Sequence, residues 1–280
     1  MIDSVIQIGQ SILQHGTFND RVYLMGVHPG DETKVIKKAE SLADSNGYSK
    51  IFAKVSSKSI DSFTAKGYQV EAQCGSGTAA SENLVFLSKF LDQDRKQEQD
   101  PGHTEKVIKT AQDEYRETPQ DLPLDKGMNI IEADFSHADL LAELYTHIFK
   151  SYPFPIQDPF FLMQEMTTGT RYFCLMQDNE LLGAASIEQS ADRKTAEMTD
   201  FAVKPVHRGK QIAERLLRHM EKVLQDSPVA MCYTIARAKS YGMNITFARC
   251  GYQYGGTLIN NTNIGGSIES MNVWFRRIKD

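Results

Sequence analysis

Apolar residues recur at helix and strand spacing through the second half of the chain. Apolar positions three or four residues apart, following Ser136 as a suitable N-cap, predict a helix over residues 137–150. Similar spacing predicts a long amphipathic helix over residues 212–224, and a short helix over residues 244–249 is closed by Gly251. Strands are predicted where short apolar runs lie between turn signals, at residues 171–176, 181–187, 195–203, 229–236, 252–258 and 271–278.

A polar segment divides the chain. Residues 92–106 contain no hydrophobic residue, and Pro119 and Pro123 follow after one short stretch that could be helical. We therefore predict a polar connector over residues 92–127. It separates a front domain, residues 1–91, from a back domain, residues 128–280, and each is of domain size.

A faint internal repeat links the two domains. Residues 50–54 lead to residues 63–70, and residues 233–237 lead to residues 247–254, in both cases as strand, short helix, Gly-Tyr and strand. Two explanations stay open. The front domain is a degenerate copy of the back domain, or this short pattern recurs by chance.

The composition is that of a globular protein. The chain has 280 residues, 41% of them hydrophobic and 24% charged, which is enough for one large core or two small ones. The longest apolar run is only five residues, so a membrane span is excluded, and no secretory signal is visible at the N-terminus. We predict a cytoplasmic protein. The net charge of -5, without a block of Lys and Arg, makes nucleic acid and membranes unlikely partners.

Common catalytic motifs do not occur in the sequence. The four cysteines lack Cys-x-x-Cys spacing, so we expect buried thiols without disulfide or zinc. The seven histidines lack the spacing of metal ligands, and no metal is predicted. Without a Gly-x-Ser-x-Gly elbow or a P-loop, serine hydrolase and nucleoside triphosphatase functions have no support.

A basic turn precedes the predicted helix 212–224. Arg208, Gly209 and Lys210 lie just before the helix N-terminus, where unpaired backbone N–H groups and the helix dipole attract anions. A small residue in such a turn lets a pyrophosphate approach the main chain. The same residues would also suit a solvated basic helix start, so the pattern alone leaves both interpretations open.

The place of this turn resembles that of the Gln/Arg-x-x-Gly-x-Gly/Ala turn in the GNAT acyl-CoA N-acyltransferases. Arg208 fills the first position and Ala213 the last, while Gln211 stands where the middle glycine is usual. The resemblance implies an α/β fold, the GNAT fold, whose mixed central sheet splays to admit pantetheine, and it implies acetyl-CoA as co-substrate. The residues that it assigns to the cofactor are Phe201, Ala202, Val203, Arg208, Gly209, Lys210, Gln211, Ile212, Ala213, Asn244 and Phe247.

Further motifs are similar to a narrower family, the β-lysine N6-acetyltransferases. Besides the turn, they are Glu197-Met198-Thr199-Asp200-Phe201-Ala202, Tyr233-Thr234-Ile235-Ala236-Arg237-Ala238, and a polar tail from Gly255-Gly256-Thr257-Leu258 through residues 260–264 to residues 269–274. The match runs from about residue 130 to the C-terminus and extends more weakly into the front domain. It implies acetylation of the side-chain amine of β-lysine, giving the compatible solute N6-acetyl-β-lysine by direct attack in a ternary complex.

The resemblance also implies roles in catalysis. A lysine-type ammonium, with a pKa of about 10.4, must lose a proton before it can attack a thioester. Glu197 is the expected base, on the same strand face as Phe201, whose backbone N–H would stabilise the oxyanion. Asp200 should point to the opposite face unless a bulge intervenes, so it is the reserve base or a ligand of the substrate ammonium.

The leaving thiolate of CoA needs a proton. In the superfamily a tyrosine often supplies it, but that position holds Phe247. The acid is then another group, such as Tyr252 or Tyr241, or it is solvent, since a thiolate with a pKa of about 8.5 is a tolerable leaving group.

Substrate recognition is expected mainly in the polar tail. Its polar side chains could hold the carboxylate and second amine of the substrate, and the candidates are Asn260, Asn261, Asn263, Glu269 and Asn272. A polar loop without a ligand is the alternative. Tyr152 and Phe154, in the loop after the first helix, are expected to line the site of the alkyl chain or to be purely structural.

Other functions stay open. A protein-lysine acetyltransferase would need an open acceptor groove, other small amines would suit an enclosed one, and a non-catalytic CoA-binding regulator is compatible with Gln211 and Phe247. The front domain is expected to be GNAT-like without a cofactor turn, because Asp31 and Glu32 would repel a pyrophosphate. Packed against the back domain, it would cover the acceptor site or form an intramolecular pseudo-dimer.

Overall fold

A computed structural model describes residues 3–75, 83–120, 122–192 and 194–279. In the front domain and the predicted connector, the elements are β1 (Ser4–Ile8), β2 (Ser11–Gly16), β3 (Arg21–Gly26), α1 (Glu32–Asn46), β4 (Lys50–Ser56), α2 (Ile60–Thr64), β5 (Gln69–Cys74), β6 (Leu84–Phe90) and α3 (Pro101–Asp113). In the back domain they are β7 (Met128–Glu132), α4 (Ala138–Ile148), α5 (Pro159–Thr168), β8 (Arg171–Gln177), β9 (Glu180–Gln189), β10 (Thr195–Val203), α6 (Ile212–Leu224), β11 (Met231–Arg237), α7 (Tyr241–Arg249), β12 (Gln253–Ile264) and β13 (Ser267–Arg277).

The described strands form one continuous mixed sheet, in the order β1-β2-β3-β4-β6-β5-β12-β13-β11-β10-β9-β8-β7. In the back domain, α6 and α7 pack on one face of the sheet, and α4 and α5 pack on the other. In the front domain, α1 and α2 cover one face. The other front face carries aromatic side chains that pack against the back domain, with the rings of Phe86 and Tyr233 5.9 Å apart.

The two domains repeat one order of elements. From β1 to β6 the front domain runs strand, strand, strand, helix, strand, helix, strand, strand, and the back domain runs the same way from β8 to β13. In each copy the third and fourth strands pair in parallel, and the last two strands exchange places in the sheet. The repeated Gly-Tyr is also structural, because Gly67 and Gly251 have φ values of 83° and 82°. The order therefore favours a duplicated architecture over a chance pattern.

The predicted elements of the back domain are all present, and most lie within a few residues of their expected bounds, but β12 continues to Ile264 beyond its predicted end at residue 258. Two elements were missed, the edge strand β7 and helix α5, which begins at Pro159 with Asp158 as its N-cap. The four cysteines are buried free thiols, as expected from their positions. Within the described ranges, no helix is long and apolar enough to cross a membrane.

The predicted connector contains a packed helix. Asp100 caps α3 by accepting a hydrogen bond from the His103 N–H at 3.1 Å, and Ala111 is buried in the core of the back domain. Just after the helix, Glu114 pairs with Arg249 of α7 at 2.9 Å. Because α3 has only a narrow apolar stripe, its composition differs little from that of a polar linker. Residues 92–127 therefore look like a polar linker in the sequence.

The sheet continues from one domain to the other through a single register pair between β5 and β12, Ala72 with Gly256. Gly256 has φ +139°, and a Cβ added there would collide with the backbone oxygen of Glu71 and lie 2.7 Å from the Ala72 Cα. Only glycine combines this conformation with so close an approach of two strands. Close by, Lys50 and Glu71 form a buried ion pair at 3.0 Å, and Lys50 Nζ also donates to the Ile259 carbonyl.

Replacing Gly256 by alanine should destabilise the protein more than a matched change elsewhere. Gly266 also has positive φ, 99°, but nothing lies near its added Cβ, so Gly266→Ala tests conformational strain alone, roughly 1–3 kcal/mol. Gly256→Ala should add about 1–3 kcal/mol for the strand collision. Denaturant unfolding of both variants measures the difference, and equal losses of free energy would contradict the assigned role of the junction.

Candidate active site

The sheet of the back domain opens between two parallel strands. Strand β10 pairs with β11 only from Thr195 to Glu197, opposite Met231 to Tyr233. Beyond these pairs β11 continues beside β13 alone, so the facing edges of β10 and β11 diverge. The resulting cleft is lined on its two edges by Thr199, Asp200, Phe201, Thr234, Ile235 and Ala236. A slot of this kind exposes unpaired backbone groups to a slender ligand.

A bulge in β10 after Thr199 changes the face of the sheet on which the side chains of Asp200 and Phe201 lie. Thr199 pairs with Ser186, the next pair is Ala202 with Ala184, and Asp200 takes the left-handed φ of +54°. Ala202 packs with α4, whereas Phe201 packs against Phe247 under the other face. The predicted shared face of Glu197 and Phe201 is therefore wrong, since the bulge places Asp200 rather than Phe201 on the side of Glu197.

Three carboxylates meet on this face of the sheet. Glu188 and Glu197 are cross-strand neighbours on β9 and β10. The hydroxyl of Tyr233 donates to Glu197 Oε2 at 2.9 Å. Asp200 accepts from the hydroxyls of Tyr152 at 2.5 Å and Ser186 at 2.7 Å. Glu188 and Tyr233 are functional candidates beyond those predicted, and Glu188 was missed because it lies just outside the apolar run that marked its strand.

Desolvation dominates the electrostatics of the cluster. It raises the pKa of Glu197 and of Asp200, and Lys54 and Tyr233 partly offset the effect at Glu197. The pKa of Glu188 is raised well above its usual value by desolvation and by the charges of Glu197 and Asp200. Glu188 is nonetheless exposed. It therefore lies in a recess that solvent reaches, although the surrounding protein atoms displace much of the water around its carboxylate. Such a recess favours a cation as its occupant.

The front domain forms one wall of this recess. Lys54 of β4 donates from Nζ to the Tyr233 hydroxyl at 3.0 Å, and its Nζ lies 3.9 Å from Glu197 Oε2. Tyr23 of β3 is buried beside Phe52, with ring centroids 4.7 Å apart, in the cluster that includes Tyr233. Among the described residues, the helices α1 and α2 of the front domain pack on its other face, and this face packs against the acidic face of the back domain.

The basic turn provides an open helix N-terminus. Gln211, at the N-cap of α6, has φ +56° and makes no side-chain cap hydrogen bond. Gly209 has φ +81° with open space around it, and Arg208 and Lys210 are exposed. Gln211 therefore adopts the conformation that the usual glycine would take, and the first N–H groups of α6 keep no side-chain cap. The turn fits a pyrophosphate.

Comparisons with known proteins agree with this geometry. A family model described as "Acetyltransferase (GNAT) family" matches residues 138–252. The chain is 36% identical over 280 residues to a β-lysine N6-acetyltransferase of Methanococcus maripaludis, covering 98% of this chain and 99% of the relative. It is 28% identical over 286 residues to the N-acetyltransferase YodP of Bacillus subtilis, covering 99% and 100%. A β-lysine N6-acetyltransferase of Methanosarcina mazei is 31% identical over 173 residues, covering 62% and 64%.

The chain belongs to the GNAT acetyltransferase family. The predicted GNAT fold and N-acetyltransferase activity are confirmed, and so is the resemblance to the β-lysine N6-acetyltransferases. Acetyl-CoA is the acetyl donor of this family. Among the residues that the structure describes, no cluster of three or more His, Cys, Asp and Glu side chains is arranged to hold a metal ion.

Asn244, which the resemblance assigned to the cofactor, makes its side-chain hydrogen bonds within the protein itself. Asn244 is fully buried, and its Nδ2 donates to the carbonyls of Arg237 and Ser240 at 3.0 and 2.7 Å. Its Oδ1 accepts from Asn272 Nδ2 at 2.9 Å and from Trp274 Nε1 at 2.8 Å. All four hydrogen-bonding positions of the amide are then used. The assignment of Asn244 to CoA is corrected to a structural role that joins α7 to β11 and β13.

The aromatic residues near the cleft do not supply an acid. Phe247 lines the cleft but has no proton to donate. Tyr252 is fully buried in the core behind Phe247, with ring centroids 5.1 Å apart, and burial beside Glu221 raises its pKa well above its usual value. Tyr241 packs its ring against His103 of α3. The structure therefore does not support proton donation by Tyr252, and the role of Tyr241 stays a prediction.

The predicted substrate residues of the polar tail bind the front half of the chain instead. Asn260 Nδ2 donates to the carbonyls of Arg95 and Gln97, and Asn263 Nδ2 donates to the carbonyl of Phe18 at 2.9 Å. The Asn261 carbonyl accepts from the guanidinium of Arg21. Because the side chains of Asn260 and Asn263 bond across the seam between the domains, their assignment to substrate is corrected to domain docking. Asn261 joins the seam through its backbone carbonyl, and the role of its side chain stays a prediction.

The remaining predicted substrate residues divide in the same way. Asn272 bonds to Asn244, and Glu269 holds Arg237 of the cleft in a two-pronged pair at 2.7 and 3.0 Å, so both act behind the cleft wall. Phe154 stacks on Phe161 of α5 at 6.5 Å and does not line the cleft. Tyr152 does line it and reaches Asp200. Of the aromatic loop, only Tyr152 thus belongs to the site.

Reversing the charge of the basic turn should weaken CoA binding. Arg208→Glu would set a like charge against a pyrophosphate at the N-terminus of α6, and we expect the dissociation constant to rise roughly tenfold or more. Lys222→Glu, exposed at the far end of the same helix, is the matched control and should bind as the parent does. Titration calorimetry with CoA measures both. Unchanged affinity in Arg208→Glu would show that the pyrophosphate binds elsewhere.

Proposed function

We propose that this acetyltransferase transfers the acetyl group of acetyl-CoA to the side-chain amine of β-lysine, giving N6-acetyl-β-lysine. The observation that carries the proposal is the recess formed by Glu188, Glu197 and Asp200 beside the cleft, with Lys54 of the front domain in its wall. At neutral pH β-lysine carries two ammonium groups and one carboxylate. A desolvated cluster of three carboxylates with one nearby cation is complementary to such a molecule.

The front domain argues for a small substrate. It covers the acidic face of the back domain with Tyr23, Lys54 and Phe86, and buried hydrogen bonds from Arg21 to Thr262 and from Arg95 to the Asn260 carbonyl close the seam. A protein-lysine acetyltransferase needs an open groove for a polypeptide on both sides of the target lysine. A recess that the front domain walls on one side, although solvent reaches it at Glu188, instead supports a free amine. Two relatives named as β-lysine N6-acetyltransferases, at 36% and 31% identity, support the choice of β-lysine.

Glu197 is the base in this proposal. Its side chain is 14% exposed, accepts one hydrogen bond from Tyr233, and lies where β10 begins to diverge from β11. Desolvation raises its pKa, and a carboxylate with a raised pKa accepts a proton more strongly. The proton of the attacking ammonium passes to Glu197, and the freed amine then attacks the thioester.

The proposed roles of Asp200 and Phe201 depend on the positions that the bulge in β10 gives them. Asp200 is held by Tyr152 and Ser186, so it is placed to bind an ammonium group together with Glu188 rather than to exchange protons freely. The backbone N–H of Phe201, at the edge of the cleft, would stabilise the oxyanion. With Phe247 at the usual place of the acid, the CoA thiolate leaves without a protein donor and is protonated by solvent.

A role as a compatible solute fits the chemistry of the product. Acetylation removes one of two ammonium charges, so β-lysine with a net charge of +1 becomes a zwitterion without net charge. Such molecules accumulate without disturbing the charge balance of a cell. The cytoplasmic location stays a prediction.

The front domain is, in this proposal, a cover and not a second cofactor site. Asp31 of α1 accepts hydrogen bonds from the Gln10 N–H and the Ser11 hydroxyl, both at 3.1 Å, and its pKa is lowered by them. Glu32 accepts from the Gly30 N–H at 2.8 Å. Two ionised carboxylates thus occupy the start of α1, where α6 offers an open anion site. Calorimetry of the parent protein should accordingly give one CoA per chain.

The substrate is tested by offering acetyl-CoA with separate acceptors and identifying products by mass spectrometry. β-Lysine should be acetylated at N6 faster than α-lysine, a diamine of equal length, or a lysine-containing peptide. The diamine lacks the carboxylate, and the front domain obstructs one side of the recess for the chain of a peptide. Preference for the peptide would replace this proposal with protein acetylation, and preference for the diamine would replace it with polyamine acetylation.

Glu197→Gln should lower kcat by about 10² to 10⁴ while leaving CoA affinity unchanged, because only proton removal is lost. Glu143→Gln, an exposed carboxylate on α4, is the control and should match the parent. Steady-state kinetics at neutral pH with saturating substrates measures both. A full rate in Glu197→Gln would transfer the role to Asp200 or to solvent.

A further inference from the structure

We infer that Lys54 of the front domain is a positioning residue that keeps Glu197 ionised, so that the front domain takes part in proton removal. The inference rests on the proposed function of Glu197 as the base. It assigns a function to a domain that otherwise only covers the site. It also predicts that catalysis depends on a residue outside the segment matched by the acetyltransferase family model, residues 138–252.

The geometry forms a short chain from one domain to the other. Lys54 Nζ donates to the Tyr233 hydroxyl at 3.0 Å, and that hydroxyl donates to Glu197 Oε2 at 2.9 Å. Lys54 Nζ also lies 3.9 Å from the same carboxylate oxygen. Tyr233 thus accepts from the cation and donates to the anion, which fixes the orientation of its hydroxyl. Lys54 thus interacts with Glu197 both directly, as a nearby opposite charge, and indirectly, through the hydroxyl of Tyr233.

Lys54 is the cation in a largely acidic environment. The titratable groups facing Glu197 come from its own strand, from β9 and β11, from the loop before α5, and from front strands β3, β4 and β5. They are Asp200, Glu188, Tyr233, Tyr152, Tyr23, Lys54 and Cys74. Within the described residues, Lys54 is the only group of this set that carries positive charge. Removing it leaves the carboxylates without a counter-charge.

The electrostatic directions agree with the geometry. Desolvation raises the pKa of Glu197, and Lys54 is the first influence that lowers it. Desolvation lowers the pKa of Lys54, but the interactions with Tyr23, Tyr233 and Glu197 raise it well above the usual value. Lys54 therefore stays protonated. An opposite charge within about 4–6 Å typically lowers a carboxyl pKa by roughly 1–3 units.

A neighbouring lysine shows that this is not simply a structural ion pair. Lys50 lies on the same strand face as Lys54 and is completely buried against Glu71 and the Ile259 carbonyl. The side chain of Lys54 is 23% exposed, and its carboxylate partner belongs to the recess of the active site. One lysine of β4 therefore joins the domains, while the other faces the reaction site.

The test compares pH profiles of kcat/KM for β-lysine in the parent, Lys54→Met, Lys54→Gln and Lys54→Arg. Loss of the charge should move the acid limb of the profile to higher pH by about one unit or more, with activity recovered at alkaline pH. Lys54→Gln keeps a donor for Tyr233 and should shift as Lys54→Met does. Lys54→Arg should keep the parent profile. The titration of the substrate amine is common to all four proteins and cancels in the comparison.

Lys89→Met is the control, since Lys89 pairs with Glu40 of α1 on the other face of the front domain. It should leave the profile unchanged. A purely structural Lys54 would lower activity equally at every pH, or lower the melting temperature without moving the limb, and either result overturns the inference. If Lys54→Met fails to fold, the profile of Lys54→Gln decides. Failure of the proposed function is distinguishable, because the parent itself would then not acetylate β-lysine.

Discussion

The structure depends on the close approach of β5 and β12, where Gly256 lets two half-sheets become one. A side chain at this point would strike the backbone of the neighbouring strand, so the contact requires glycine. Because strands continue the sheet on both sides, this contact joins the two domains edge to edge in one sheet. It brings Lys54 of β4 to Tyr233 of β11 although 179 residues separate them in the sequence.

The polar tail secures that contact. Between Leu258 and Thr262, the ladder of β12 with β13 is interrupted, and Asn260 takes φ +43°. The carbonyls of residues 259, 260 and 261 are then satisfied by cations from the front half of the chain, respectively Lys50, Arg95 and Arg21. Buried carbonyl groups without partners would be costly, and cationic donors form the stronger hydrogen bonds. The polar residues of the tail therefore match the front domain, and the side chains of Asn260 and Asn263 are explained by these contacts without a ligand.

Local patterns predicted much of the back domain but not the site as a whole. The amphipathic spacing of α6, the turn before it and the carboxylate at Glu197 are properties of neighbouring residues, which a sequence displays directly. The bulge at Asp200 depends on the register of β10 against β9, and one shifted residue exchanges the faces of Asp200 and Phe201. Lys54 could not be assigned at all, because its relation to Glu197 exists only after the two domains join. The resemblance assigned Asn244 to the cofactor, because a sequence does not show whether the side-chain amide of an asparagine already makes all its hydrogen bonds within the protein.

The repeated architecture explains how one half came to complete the other. The back domain has α4 and α5 over the sheet face that bears its carboxylates, and the front domain repeats the sheet without those helices. An uncovered face with Tyr23, Phe52 and Phe86 would be an exposed apolar patch in isolation, and such a patch must find a partner. In this chain the partner is the acidic face beside the cleft, and the front domain's own helix start is closed by Asp31 and Glu32. The front domain thus encloses the recess with its aromatic face, and the same face places Lys54 beside the base.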